Sequence, residues 1–162
     1  MTPPTLAAAI AACLVFLGPV AAHEFKASDL TIDHPSSRPT SPGAKVGVGY
    51  VSIRNDGSKA DRLIGGSATV AGRFEIHASS VEDGVARMRR VDDGIVVEPG
   101  ATVKLASGGV HVMLLDLKQQ IVKGQSFDGT LAFERAGTVP VRFMVEGFGA
   151  AAAAASHKKH KP

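Results

Sequence analysis

The amino-acid sequence predicts a single domain built only of β-strands. From Lys45 onward, short runs of alternating apolar and polar residues are separated by turn residues. Asp-Gly, Pro-Gly and Gly-Gly pairs recur about every 8–12 residues, a spacing typical of hairpins in a β-sandwich. No segment keeps the apolar period of about 3.6 residues that marks a helix. We therefore expect an all-β sandwich.

The predicted strands are short and follow one another closely. They occupy residues 45–55, 61–70, 72–80, 85–91, 95–97, 102–106 and 110–117, and two further strands within 126–148 are joined at Ala136-Gly137. Residues 33–45 contain three prolines, so this segment is expected to be an ordered loop or an edge segment that includes His34.

The first 22 residues predict a secretory signal peptide. They carry no charged side chain and end in Val20-Ala21-Ala22, so cleavage is expected before His23. Cys13 follows Ile10-Ala11-Ala12, which resembles a lipoprotein cleavage site, but the apolar run continues beyond it and we assign Cys13 to the signal. The run is shorter than the roughly 20 residues that a spanning helix needs. We expect an exported, soluble protein that does not span a membrane.

The mature chain then consists of one domain, residues 23–149, and an Ala-rich tail containing His and Lys, residues 150–162. It has no cysteine, so disulfide and thiolate chemistry are excluded and any soft-metal ligand must be Met. The net charge of +3 comes largely from the tail. No aromatic residues interleave with these basic residues, which argues against nucleic-acid binding.

Four residues form a candidate metal site. His111 and Met113 lie two positions apart and share one face of a predicted strand. Taken alone, this pair also fits a core histidine with a methionine filling space beside it. However, His77 and Met88 lie on strands that a turn at Asp83-Gly84 would pair. Two imidazoles and two thioethers without a thiolate suit a soft monovalent ion such as Cu(I).

These residues and their flanking segments resemble the PCuAC family of periplasmic copper(I) chaperones. The family pattern is His-x10-Met-x21-His-x-Met, and this chain has one extra residue between Met88 and His111, which we place in the turn at residues 91–94. Similar segments occur in the same order over most of the chain, among them RPTSPGAKVGVGYVSIRNDG, AGRFEIH, EDGVARMR, EPGATVKLASGGVHVMLLDLK and GQSFDGTLAFERAGTVPVRFMVEG.

The resemblance implies a cupredoxin-like, Greek-key β-sandwich and a protein that is not an enzyme. It implies Cu(I) carriage in the periplasm by His77, Met88, His111 and Met113. It also implies delivery to the Cu_A subunit of cytochrome c oxidase, sometimes alongside Sco-type copper proteins.

Other functions stay open at this point. Copper sequestration for tolerance is one alternative, and a metal-free β-sandwich binding module is another. A copper oxidoreductase built on the terminal His23 is a third. His23, His157 and His160 are candidates for a secondary Cu(II) site. The arginines at 87, 89 and 90 are expected to form a solvated face or to dock an acidic partner.

Overall fold

The computed structural model describes residues 24–147, which form eleven β-strands and no helix. The strands are β1 (Glu24–Ala27), β2 (Leu30–Ser37), β3 (Val46–Asn55), β4 (Asp61–Ala68), β5 (Arg73–Glu82), β6 (Val85–Arg90), β7 (Ile95–Val97), β8 (Thr102–Leu105), β9 (Val110–Leu115), β10 (Ser126–Phe133) and β11 (Gly137–Val145). Within these residues no helix is long and apolar enough to cross a membrane. The signal peptide, His23 and the tail with His157 and His160 lie outside the described residues.

The strands follow one hydrogen-bonded path in the order β6-β5-β9-β3-β2-β11-β10-β4-β7, with β1 paired to β2 and β8 paired to β3. The path joins strands that are distant in sequence, as where β2 runs parallel to β11. Its two halves close over one core: β4 and β5, which lie near opposite ends of the path, contact each other, and the ring of Phe74 on β5 lies against Gly66 of β4. Within the core, the rings of Phe143 on β11 and Phe127 on β10 stack with their centroids 5.2 Å apart. The predicted all-β sandwich is confirmed.

Alternation along each strand divides the side chains between the core and the outer face. On β9, Val112 and Leu114 are fully buried in the core, and they lie opposite Ile76 and Phe74 of β5. Replacing a buried leucine such as Leu114 by alanine typically costs about 2–5 kcal/mol. Because side chains alternate, packing of these residues sends their neighbours on β5 and β9 to the outer face of the sheet.

The hairpin that carries Met88 has the turn its sequence predicts. Asp83 and Gly84 have φ values of 52° and 77°. Two consecutive left-handed residues are typical of the type I′ turn, whose twist matches that of paired strands. The turn sets the β5–β6 register, in which Glu82 lies opposite Val85.

The expectation of a loop or edge segment at residues 33–45 was wrong for its first part. Residues up to Ser37 belong to β2, which lies inside the sheet between β3 and β11. Pro35 is tolerated because the register shifts between Asp33 and Ser36, where the ladder bond that proline cannot donate is not required. His34 adopts a φ of 53° at this irregularity and pairs with Glu146 at 2.7 Å.

Candidate metal centre

The two histidines of the candidate site are brought together by pairing of β5 with β9. His77 and His111 are direct cross-strand partners although they are far apart in sequence. Their ring centroids are 6.5 Å apart, with the planes tilted by 40°. Two imidazoles at this separation are close enough to bind one metal ion, since a metal–nitrogen bond is about 2 Å long.

The two methionines lie on the same outer face as the histidines. Met113 is opposite Glu75 of β5 on one side and Val48 of β3 on the other. Met88 is opposite Ser79, two residues along β5 from His77. Each methionine is therefore a diagonal neighbour of His77, and in a regular sheet such neighbours have Cα atoms about 7–8 Å apart. All four predicted residues therefore lie on one face, with Met88 and Met113 on opposite sides of His77 along β5.

Burial differs sharply within this set. His111 is only 5% exposed and the side chain of His77 is 16% exposed. Met113 is half-buried between its two neighbouring strands. Met88, by contrast, is 52% exposed on the edge strand β6. Three of the residues are held by the body of the domain, while the fourth lies open to solvent.

Each imidazole uses one ring nitrogen for a protein hydrogen bond. The Nε2 atom of His77 lies 2.9 Å from a carboxylate oxygen of Glu75. The Nδ1 atom of His111 lies 2.9 Å from the carbonyl oxygen of Gly109. The other nitrogen of His77, Nδ1, is buried and has no hydrogen-bond partner among the described residues. Such an atom costs about 1–3 kcal/mol unless something else binds it, so it points to a ligand.

Sequence reasoning missed Glu75, which lies at the centre of the charged groups on this face. Its side chain is 10% exposed and lies 3.1 Å from Arg73 and 3.5 Å from Arg90. The hydrogen bond from His77 lowers the pKa of Glu75, and the charges of Arg90 and Arg73 lower it further. The signal available in the sequence was the Glu-x-His spacing, because residues two apart on a strand share a face.

The arginine run around Met88 does not form a single face. Arg87 and Arg89 lie on the side of β6 away from the histidines, where both contact Glu82, at 3.3 and 3.0 Å. Arg90 lies on the histidine side, directly opposite His77. The run therefore divides into a solvated pair and one residue that belongs to the candidate site.

The donor set decides which metal the site suits. Among residues 24–147, no three His, Cys, Asp or Glu side chains come together as a metal cluster. The thioethers of Met88 and Met113 are further donors on the same face as His77 and His111. Thioethers bind Cu(I) well and divalent zinc or iron poorly, so the residues present fit copper.

Comparison with known proteins identifies the family. The family described as "Putative lipoprotein LpqE-like" matches residues 30–145. The solved structure "Copper-bound PCuAC domain from PmoF2" is 30% identical with a TM-score of 0.66, covering 77% of this chain and 98% of that domain. The chain belongs to the LpqE-like family and folds as a PCuAC domain. The apo PCuAC domain of PmoF1 is similar to this PCuAC domain at 28% identity, with a TM-score of 0.65.

Two curated relatives of this PCuAC protein also match. "Putative lipoprotein Lxx21020" of Leifsonia xyli subsp. xyli is 29% identical over 109 residues, which are 67% of this chain and 66% of the relative. "Uncharacterized protein RP573" of Rickettsia prowazekii is 29% identical over 85 residues, 52% of this chain and 47% of the relative. The chain thus spans less than two thirds of the length of each of these relatives. At 20% identity, apo-DR1885 from Deinococcus radiodurans supports the cupredoxin-like fold alone, with a TM-score of 0.58.

Proposed function

We propose that this protein is an exported copper chaperone that carries one Cu(I) ion. His77, His111, Met88 and Met113 supply the ligands. The observation that carries the proposal is the cross-strand pair of His77 and His111, with one nitrogen of His77 buried and unpartnered. The copper-bound state of the similar PmoF2 domain supports copper as the cargo.

The chemistry of the site suits carriage rather than turnover. Two neutral imidazoles and two neutral thioethers leave the single charge of Cu(I) uncompensated, which permits transfer to an acceptor with anionic thiolate ligands. A site without thiolates also resists oxidation in an exported protein. Copper leaves by stepwise ligand substitution, and the exposed Met88 is the ligand that an acceptor can replace first.

Anaerobic titration with Cu(I) against a competing chelator tests the site. The mature protein should take up one tight equivalent, and Met113→Ala should lose it. Met144→Ala is the matched control, since Met144 lies on β11 and pairs with Ser36 of β2, away from β5 and β9. Retention of tight binding in Met113→Ala would show that copper binds elsewhere or without this thioether.

A chain ending at Gly149 tests whether the tail adds a second site. We propose that His157 and His160, with a terminal His23 if cleavage occurs before it, form a weaker Cu(II) site. The truncated chain should then keep its Cu(I) equivalent and lose a Cu(II) equivalent. Unchanged Cu(II) uptake after truncation would exclude the tail.

Delivery to the Cu_A subunit of cytochrome c oxidase, together with Sco-type proteins, is the proposed route for the cargo. Deleting the gene should lower oxidase activity when copper is scarce. If deletion instead impairs growth only when copper is in excess, the protein sequesters copper for tolerance. One Cu(I) site in this domain is a small capacity for a store, which favours delivery.

Export is the remaining part of the proposal, with the periplasm as the compartment. The word lipoprotein in the family description and in the name of the Leifsonia protein supports export. Mass measurement of the protein recovered from the cell envelope should give a chain beginning at His23. A chain beginning at a lipid-modified Cys13 would show that the protein is anchored instead.

A further inference from the structure

We propose that Glu75 is a positioning residue that selects which nitrogen of His77 faces Cu(I). In this arrangement His77 binds copper through Nδ1 and His111 binds it through Nε2. The inference rests on the proposed function, because it concerns the same site. It adds a residue outside the ligand set and assigns the ligand atoms.

The hydrogen bonds carry the assignment. An ionised carboxylate can only accept, so the bond of 2.9 Å between Glu75 and Nε2 of His77 places the ring proton on Nε2. The Nδ1 atom of His77 then carries a lone pair, and it is the buried atom without a partner. A backbone carbonyl also only accepts, so the bond from His111 to Gly109 places that ring's proton on Nδ1. The two rings therefore have opposite tautomers.

Glu75 itself is held in place from several sides. It receives the His77 ring proton and contacts Arg73 at 3.1 Å and Arg90 at 3.5 Å. Arg73 is fixed in turn by Asp116 at 2.8 Å. These cations balance the carboxylate and keep its oxygens turned toward donors. Glu75 thus acts on copper through the orientation of His77, as outer-shell carboxylates do for histidine ligands in other metal sites.

Nitrogen-15 NMR of the imidazole rings tests the tautomers directly. In the copper-free wild-type protein at a pH where both rings are neutral, His77 should carry its proton on Nε2 and His111 on Nδ1. On adding Cu(I), the shifts should change most at Nδ1 of His77 and at Nε2 of His111. A wild-type His77 that is protonated on Nδ1 would overturn the proposal without any variant being made.

Substitution of Glu75 gives the second measurement. Glu75→Ala should weaken Cu(I) binding by about 10–100-fold, the usual effect of losing such a partner, and should leave His77 as a mixture of tautomers. Glu75→Gln keeps an acceptor at the same place and should recover part of the affinity. The matched control is Glu82→Ala, because Glu82 is an arginine-paired glutamate on the same strand but on the opposite face.

The outcomes separate the two proposals. Absence of tight Cu(I) binding in the wild type overturns the proposed function, whatever the tautomers of the copper-free rings. Tight wild-type binding, together with a folded Glu75→Ala variant that binds within about twofold and keeps the Nε2 proton of His77, overturns the role of Glu75 alone. If Glu75→Ala does not fold, the wild-type NMR and the Glu75→Gln variant decide.

Discussion

The candidate site joins two regions of the sheet that differ in how firmly they hold a side chain. β5 and β9, which carry three of the proposed ligands, each have a neighbouring strand on both sides, and their opposite face packs in the core. On β6, every residue is exposed and only one neighbouring strand is present. His77 thus has one diagonal neighbour, Met113, on an interior strand and another, Met88, on an exposed edge strand.

This difference matters for the proposed function, because a copper carrier must bind the ion and then release it. Ligands on the interior strands need little ordering when copper binds, which favours affinity. A ligand on an exposed edge loses more side-chain freedom on binding, because methionine has many rotamers in solution. It can also be reached by an acceptor while the other three ligands stay in place. We infer that affinity resides mainly on β5 and β9 and that release begins at β6.

The largest expected effect comes from removing His111, the most buried of the proposed ligands. His111→Ala should lower Cu(I) affinity by more than the roughly 100-fold loss that follows when a hydrogen-bond partner of a metal ligand is removed. It should also lower the free energy of unfolding of the copper-free protein by about 1–3 kcal/mol, because a buried side chain is truncated and its hydrogen bond to the Gly109 carbonyl is lost, although that carbonyl keeps the Ser79 N–H as a donor. Chelator competition and denaturant unfolding measure the two effects. His34→Ala, at an exposed histidine on β2, should leave copper binding unchanged.

A smaller and different effect is expected from Met88→Ala on the edge strand. Copper affinity should fall by about tenfold, or about 1.4 kcal/mol, and release to a chelator should become faster. The unfolding free energy should stay within about 0.5 kcal/mol of wild type, since the side chain is exposed. Val85→Ala changes an exposed side chain on the other face of β6 and serves as control. A wild-type release rate in Met88→Ala would contradict the division between edge and interior.

The strands and the hairpin that the sequence predicted correctly depend on local patterns. Alternating residues and Asp-Gly or Pro-Gly turns predicted the strands, and the turn at Asp83-Gly84 correctly predicted that the strands of His77 and Met88 pair. Each of these features is decided by a few neighbouring residues. The two-residue side-chain period is enough to place His111 and Met113 on one face.

The parts that were missed depend on contacts between distant segments. Pairing of His77 with His111 requires the β5–β9 register, which the whole core determines through residues such as Val112 and Ile76. A glutamate beside a histidine on a strand is ordinarily solvated, but the side chain of Glu75 is 10% exposed, with Arg73 from its own strand and Arg90 from the next strand against it. Pro35 favoured a loop in the prediction, because the sequence does not reveal the register shift against β3 that allows a proline within β2.

The smallest expected effect concerns the exposed ion pair of Arg73 and Asp116, in which Asp116 holds the arginine that also contacts Glu75. Arg73 lowers the pKa of Asp116, so the pair stabilises the folded state above the ordinary aspartate pKa of about 3.9, and this contribution is lost as pH falls through the lowered value. Asp116→Asn keeps a residue that tolerates the local φ of 54°. Thermal unfolding should therefore show a small deficit for the variant at pH 7 that closes below about pH 4. A deficit that persists or grows in acid would mean that Asp116 supports the fold through its backbone position rather than through Arg73.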